Sequence, residues 1–394
     1  MTRTLYAYAF LDEFVLLYPV YALLFADTGL SLWQISSLFV LWSLTGLALE
    51  VPSGVWADAS SRRALLRLGP LLGAVGFALW VAVPSYAAFA AGFVLWGARG
   101  ALGSGALEAL VYEELDRLGA ADRYARAMGR AHAAGQVAVV SAMALAGPVL
   151  AWGGYPAVGA ASVAACLLTA LVAGRLPEHR TGDQAPEHGA ASLRSGLAEA
   201  RRDRSVRGAL LLVPAVAAVW GALDEYTPLL VRGTGVPDST VPYALVLIWT
   251  GVTTGSLLAG PGGRLGRRGL AALLALSALA LAAGALSGVP AGIAPVAVAF
   301  GGFQLATVVA DARLQERIEG TGRATLTSIA GLGTEAVTLT VYGLYAVLGT
   351  TAPHGTVFAL CAVPYLVTAL CLALARRPRE IVRRRRNESP RGGR

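Results

Sequence analysis

The sequence predicts an all-α integral membrane protein with twelve transmembrane helices in two six-helix halves. Three observations carry this. Of the 394 residues, 56% are hydrophobic and only 14% charged, with mean hydropathy +0.60, whereas soluble domains carry about 25% charged residues. Apolar runs of about 20 residues, the length that crosses a bilayer, recur along the whole chain. When these runs alternate in direction, all but two of the 32 arginines fall on one side.

Taken in order, the first-half runs are 5–25, 32–57, 65–83, 86–110, 128–150 and 155–173. Those of the second half are 208–231, 241–259, 270–286, 293–312, 324–348 and 356–375. In hydrocarbon each backbone N–H and C=O must be satisfied within its own segment, so every run is expected to be a helix. Loops are short and arginine-rich at alternate ends. Arg62, Arg63 and Arg67 follow the second run, Arg117 to Arg130 the fourth, and Arg264, Arg267 and Arg268 the eighth. With the N-terminus inside, only Arg232 lies outside and Arg99 within a span, so the positive-inside rule predicts both termini in the cytoplasm of a cell-membrane protein.

Between the halves the composition changes. Residues 175–206 hold six arginines and five acids, reading as a flexible linker with a short surface helix near 193–204. The expected domains are therefore 1–175, a linker 176–206, 207–375 and a basic tail 376–394. The tail follows a span on the cytoplasmic side, so its arginines are expected to meet anionic lipid headgroups rather than nucleic acid. The halves also resemble each other. PSGVWADASSRR recurs as PGGRLGRR without the aspartate, and Leu11-Asp12-Glu13 recurs as Leu223-Asp224-Glu225.

Several function classes fall away. All 32 basic residues are arginine, and a Walker A loop needs its lysine, so the chain is not an ATPase of that type. Cys166, Cys361 and Cys371 are far apart in apolar runs and read as small core residues. No histidine spacing suggests a metal, no cofactor is implied, and no nucleophile–base pair suggests an enzyme. No cleavable leader is expected, since Asp12 and Glu13 interrupt the first run.

Three motifs identify a family. Gly54-Val-Trp-Ala-Asp58-Ala-Ser-Ser-Arg62-Arg63 resembles the loop signature GxxxDRxGRR of the major facilitator superfamily, with Ala59 and Ser61 departing from it. Arg99-Gly-Ala-Leu-Gly103-Ser-Gly105-Ala106 resembles the fourth-helix motif RxxxGxGA of its proton-coupled drug antiporters. Gly147-Pro148 with Gly153-Gly154 is similar to a loosened form of the fifth-helix motif GPxxGG. The resemblance implies the twelve-span major facilitator fold over the whole chain, with transport by alternating access.

The residues themselves point the same way. Asp58 ends a helix on the cytoplasmic side, where a carboxylate can meet the positive N-terminal dipole of the helix beginning near Arg323. With Gly54, Arg62 and Arg63 it forms the expected cytoplasmic gate. Arg99 lies about 16 Å into its span, where a charge needs a partner or a cavity. Asp12 and Glu13 lie about 12 Å from the same side, within reach of Arg99, and one of them is expected to carry the proton. The two are about 100° apart on the helix, so they cannot face a cavity equally. Glu335, Asp224 and Glu225 are further candidates for cavity or gate, and Tyr8, Tyr18, Tyr21, Trp220 and Tyr226 for the cavity wall. Glu50 and Glu108, nearer the cytoplasmic ends, are expected to serve structural bonds.

The leading expectation is a monomeric secondary transporter that exports a small amphipathic or drug-like molecule against protons. The alternative is a proton-coupled uptake symporter for a sugar, organic acid or siderophore, and a more remote one is a membrane sensor or scaffold.

Overall fold

The computed structural model describes residues 1–179, 204–317 and 323–374, and these form helices with no strand. Nine helices among the described residues are long and apolar enough to cross a membrane. Chain breaks and one doubled helix reconcile that number with the twelve runs of the sequence.

The first run is two helices, α1 (Thr2–Glu13) and α2 (Tyr21–Asp27). The expected single span is broken at Phe14 (φ −82°, ψ 64°), and Pro19, with no N–H to donate, lies in the non-helical stretch that follows. Ser31 then opens α3 (Leu32–Ala59), its hydroxyl accepting from the Gln34 N–H while the Gln34 side chain accepts from the Ser31 N–H, a reciprocal cap. Ser61 caps α4 (Arg62–Ala82) and Ser85 caps α5 (Tyr86–Gly103). The fourth run does not continue to residue 110 as one helix. Gly105 adopts φ 71°, which glycine reaches without penalty, and the chain restarts as α6 (Ala106–Arg117).

The fifth and sixth runs form α7 (Tyr124–Ala173), 50 residues with Gly154 at φ 63° in its middle. That one left-handed residue reverses the chain between two crossings.

In the second half, α8 (Arg204–Asp224) and α9 (Thr227–Arg232) are separated at Glu225 and Tyr226, so the seventh run is also broken. Then follow α10 (Val241–Leu257), α11 (Ala259–Gly262), α12 (Arg267–Leu286), α13 (Ile293–Arg317) and α14 (Arg323–Leu348). The last run divides into α15 (His354–Cys361) and α16 (Val363–Leu374), with Pro364 just after the division.

Within the first half α1 packs on α7, α4 on α5 and α7, and α3 on α5; within the second, α13 packs on α10, α12 and α8, and α14 on α8. Gly251 and Gly255 of α10 lie against Gly301 of α13 so closely that a Cβ on Gly255 would overlap the Gly301 carbonyl. Small residues four apart allow such backbone approach between membrane helices. The outer surface is apolar, with Trp152 87% and Leu257 77% exposed, as a lipid-facing belt requires.

The halves meet along α3–α14 and α7–α10. At the arginine-poor end this seam is tightly closed. Ser36 and Tyr226 share a buried 2.7 Å hydrogen bond, and a Cβ on Gly147 would strike the Ser239 carbonyl.

Candidate functional site

The interruption after α1 creates the most unusual polar contact in the protein. The last carbonyls of a helix have no partner in their own turn. Arg99, projecting from α5, takes up one of them: its Nη2 donates to the Asp12 backbone oxygen at 2.7 Å and to Asp12 Oδ1 at 2.7 Å. Its Nη1 lies 3.5 Å from Cys166 Sγ. Arg99 is only 7% exposed. It fits because α4 offers glycine: a Cβ on Gly73 would lie 2.9 Å from Arg99 Nη1. The guanidinium thus answers both a carboxylate and the negative end of a helix dipole.

Glu13, the next residue, shares one chamber with Asp12 and reaches a second that Asp12 does not. It makes no hydrogen bond or ion pair among the described residues and lines two adjoining chambers between the halves. One, of about 300 Å³, is walled by Tyr18, Tyr21, Trp42, Trp96 and Trp249 and edged by Asp224 and Glu225. The other, of about 360 Å³, includes Tyr8, Glu108, His132 and Gln136. A third chamber of about 550 Å³ shares Trp42 and Glu225 with the first and adds Glu50, Glu335 and Tyr342. Together they form a cavity along the seam, running from its closed end toward the arginine-rich end.

Asp224 and Glu225 reach this cavity because α8 ends there. The Thr227 hydroxyl donates to the freed Asp224 carbonyl and starts α9. Glu335 comes from the middle of α14. Glu50 and Glu108, expected to serve structural bonds, instead open onto the cavity, exposed and without a side-chain bond among the described residues. Both sit on helix faces turned toward the seam.

Two expected wall residues lie away from it. Trp220 faces into the second half, where its Nε1 donates to Thr307 Oγ1 at 3.2 Å and its ring meets Phe300. Tyr226 follows the break after α8 and turns into the closed end, stacked at 3.6 Å on Tyr345. Tyr8, Tyr18 and Tyr21 do line chambers.

Sequence reasoning missed Trp42, Trp96, Trp249 and Tyr342, which look like ordinary apolar positions. It also missed a cluster at the closed end. Arg232 Nη2 lies 2.5 Å from Asp27 Oδ1 and its Nε 3.2 Å from Asp238 Oδ1, while the Tyr155 hydroxyl donates to Asp27 Oδ2 at 2.6 Å. The signal was present, since Arg232 is the one arginine the topology puts outside.

At the arginine-rich end, Gly54, Asp58 and Arg323 fall outside the residues whose side chains are described. Arg62 pairs with Glu113 within the first half. Glu178, at the start of the linker, accepts from the Arg62 N–H at 2.7 Å and from the Ser61 hydroxyl, and lies 4.0 Å from Arg63 Nε. Beside it, Glu114 accepts from the His179 N–H at 2.7 Å and from Arg117 Nη2 at 3.1 Å. Burial pushes the Glu114 carboxyl up, but the bonds from His179 and Arg117 prevail and hold it below its ordinary range. Residues 180–203 and the tail 376–394 lie outside the described residues. Among the described residues no cluster of His, Cys, Asp or Glu is arranged to hold a metal ion.

The profile of the family Major Facilitator Superfamily matches residues 4–310. No curated protein matches the chain. Solved structures share the architecture at low identity. The nucleoside transporter NupG superposes with TM-score 0.75 at 13% identity, covering 94% of this chain and 98% of that one. The POT family transporter PepTSo gives 0.69 at 13% identity, covering 95% and 97%. A D-xylose-proton symporter gives 0.65 at 15% identity, covering 94% and 95%.

Proposed function

This chain belongs to the Major Facilitator Superfamily, and from that premise we propose that it is a proton-coupled transporter exporting a small amphipathic, drug-like molecule by alternating access. The observation that carries this reading is the division of labour between Asp12 and Glu13. Asp12 is held by Arg99 at 2.7 Å, while the adjacent Glu13 has no ion-pair partner among the described residues; both line the chamber of about 360 Å³, and Glu13 also lines the aromatic one, which Asp12 does not. A carboxylate in a membrane cavity is costly without a counter-charge, so it binds either a proton or a positively polarised group. Glu13 carries the proton, and Arg99 fixes the end of α1 that presents it. The drug-antiporter motif at Arg99 supports outward movement of substrate.

Uptake of a nutrient such as a sugar, organic acid or siderophore would use the same residues, with proton and substrate moving together. Two fold neighbours bear the titles nucleoside transporter and D-xylose-proton symporter, and this supports the uptake reading equally. An imposed pH gradient across proteoliposomes separates the two. Export reads as substrate moving against the proton flux, uptake as substrate moving with it, and transport indifferent to a protonophore rejects both.

The arginine distribution supports a plasma-membrane protein with both termini cytoplasmic and the tail on anionic lipid. Under that orientation the closed end of the seam is the external one. Asp58, Arg62, Arg63 and the start of α14 near Arg323 then form the cytoplasmic gate.

A further inference from the structure

Resting on the transport reading, we propose that the cavity selects an organic monocation carrying aromatic rings. The charge of its walls is the first reason. Glu13, Asp224 and Glu225 edge the aromatic chamber, and Glu50 and Glu335 join Glu225 in the larger one. None of these carboxylates has an ion-pair partner among the described residues. Arg99 is spent on Asp12, and it opens not into these chambers but into a smaller one with Gly69 and Gly103. The nearest other titratable base is His132, in the chamber beyond Glu13. An anionic substrate would add charge of the same sign in a low-dielectric site, and a cation would remove it.

Two tyrosines supply the second reason, independent of charge. Tyr21 is 5% exposed and Tyr342 2% exposed, and both line the cavity. Neither hydroxyl has a hydrogen-bond partner among the described residues. Among those residues no fully enclosed side-chain oxygen lacks a partner, so these two hydroxyls open into the cavity. Each is therefore available to the polar atoms of a ligand that enters.

The third reason is shape. Trp42, Trp96 and Trp249 wall the chamber next to the carboxylates, and aromatic faces attract organic cations that have shed water. Chambers of about 300 and 550 Å³ sharing Trp42 and Glu225 have the size of sites for drug-sized ligands. Protons compete with the cation for these carboxylates, with Glu225 facing both chambers and Glu13 carrying the proton that drives transport.

The test uses two ions of nearly one shape and opposite charge. Tetraphenylphosphonium and tetraphenylborate are titrated into the full chain in nanodiscs at pH 8, read by tryptophan fluorescence and by calorimetry, with no gradient. Phosphonium is expected to bind about a hundredfold tighter than borate, and Glu225→Gln to weaken it about tenfold. Tyr342→Phe, which keeps ring and fold, is expected to leave it within about twofold, because phosphonium has no atom to bond the hydroxyl. Lowering the pH to 5 weakens phosphonium binding in the unmodified protein and not in the combined Glu13→Gln, Asp224→Asn, Glu225→Gln variant. Equal or tighter borate binding overturns the proposal. So does the absence of phosphonium binding at 1 mM, or affinity unchanged in the combined variant. Selective phosphonium binding without proton-driven movement in proteoliposomes would reject the export reading and leave the substrate class standing. Proton-driven movement of substrate together with equal borate binding would do the reverse.

Discussion

Arg232 of the second half grips Asp27 of the first, Nη2 to Oδ1 at 2.5 Å, and this ion pair stitches the closed end of the seam. Asp238 and Tyr155 complete it, one holding the guanidinium and the other the carboxylate. The groups are about one-third exposed, so the pair contributes about 1 kcal/mol at most. A gate that must open in every cycle needs a contact of that size.

Arg232→Ala should therefore shift the resting population toward opening at this end by about fivefold. The readout is maleimide labelling of Ser36→Cys, which the Tyr226 contact now covers. An unchanged labelling rate would reduce the cluster to surface decoration.

The neighbouring acids of α1 should respond differently to neutralisation. Glu13→Gln is expected to abolish transport driven by a pH gradient while leaving substrate exchange at or above half its rate. Asp12→Asn removes the charge Arg99 answers but leaves its backbone bond, so it should lower thermal stability and expression as well as rate. Swapped phenotypes would assign the proton to Asp12.

Gly73→Ala tests the seat of Arg99 without touching any charge. The new methyl would lie 2.9 Å from Nη1, and the long side chain can yield where backbone could not. Transport should fall about tenfold, corresponding to about 1.4 kcal/mol of misplacement, with the melting temperature nearly unchanged. Full activity would mean that the exact aim of Arg99 does not matter.

Glu114 gives a pH dependence whose sign follows from its hydrogen bonds. A carboxyl held low in the folded protein adds stability above its unfolded pKa, and this is lost as pH falls through the lower folded value. The linker anchor at Glu178 and His179 should be protected from hydrogen exchange at neutral pH and exposed as pH falls below the ordinary glutamate range. Glu114→Gln should expose it at all pH values, and protection independent of both would remove this anchor.

Most of the architecture was legible because hydrocarbon forces each backbone bond inside its own helix, leaving length and apolarity as sufficient signals. Arg99 and Asp12 were legible for the same reason, since an intramembrane charge demands a partner. The breaks were not. The chain leaves helix at Phe14 and at Gly105, inside runs that length and mean apolarity read as single spans, and hydropathy averages over such single residues. Trp42, Trp96 and Trp249 were invisible because a tryptophan in a span reads alike whether it faces lipid, core or cavity. Trp220 and Tyr226 misled for that same reason, the first packing inside the second half and the second into the closed end of the seam rather than into the cavity.

The glycine contact between α10 and α13 carries a mechanical corollary. With no side chains between Gly251, Gly255 and Gly301 to act as bearings, the two backbones cannot slide past each other without collision. Sliding between these two helices is thereby opposed, and the pair is expected to move together. Bulk inserted at Gly255 would then act like play in a hinge, loosening the lever while every residue that touches proton or cargo stays intact.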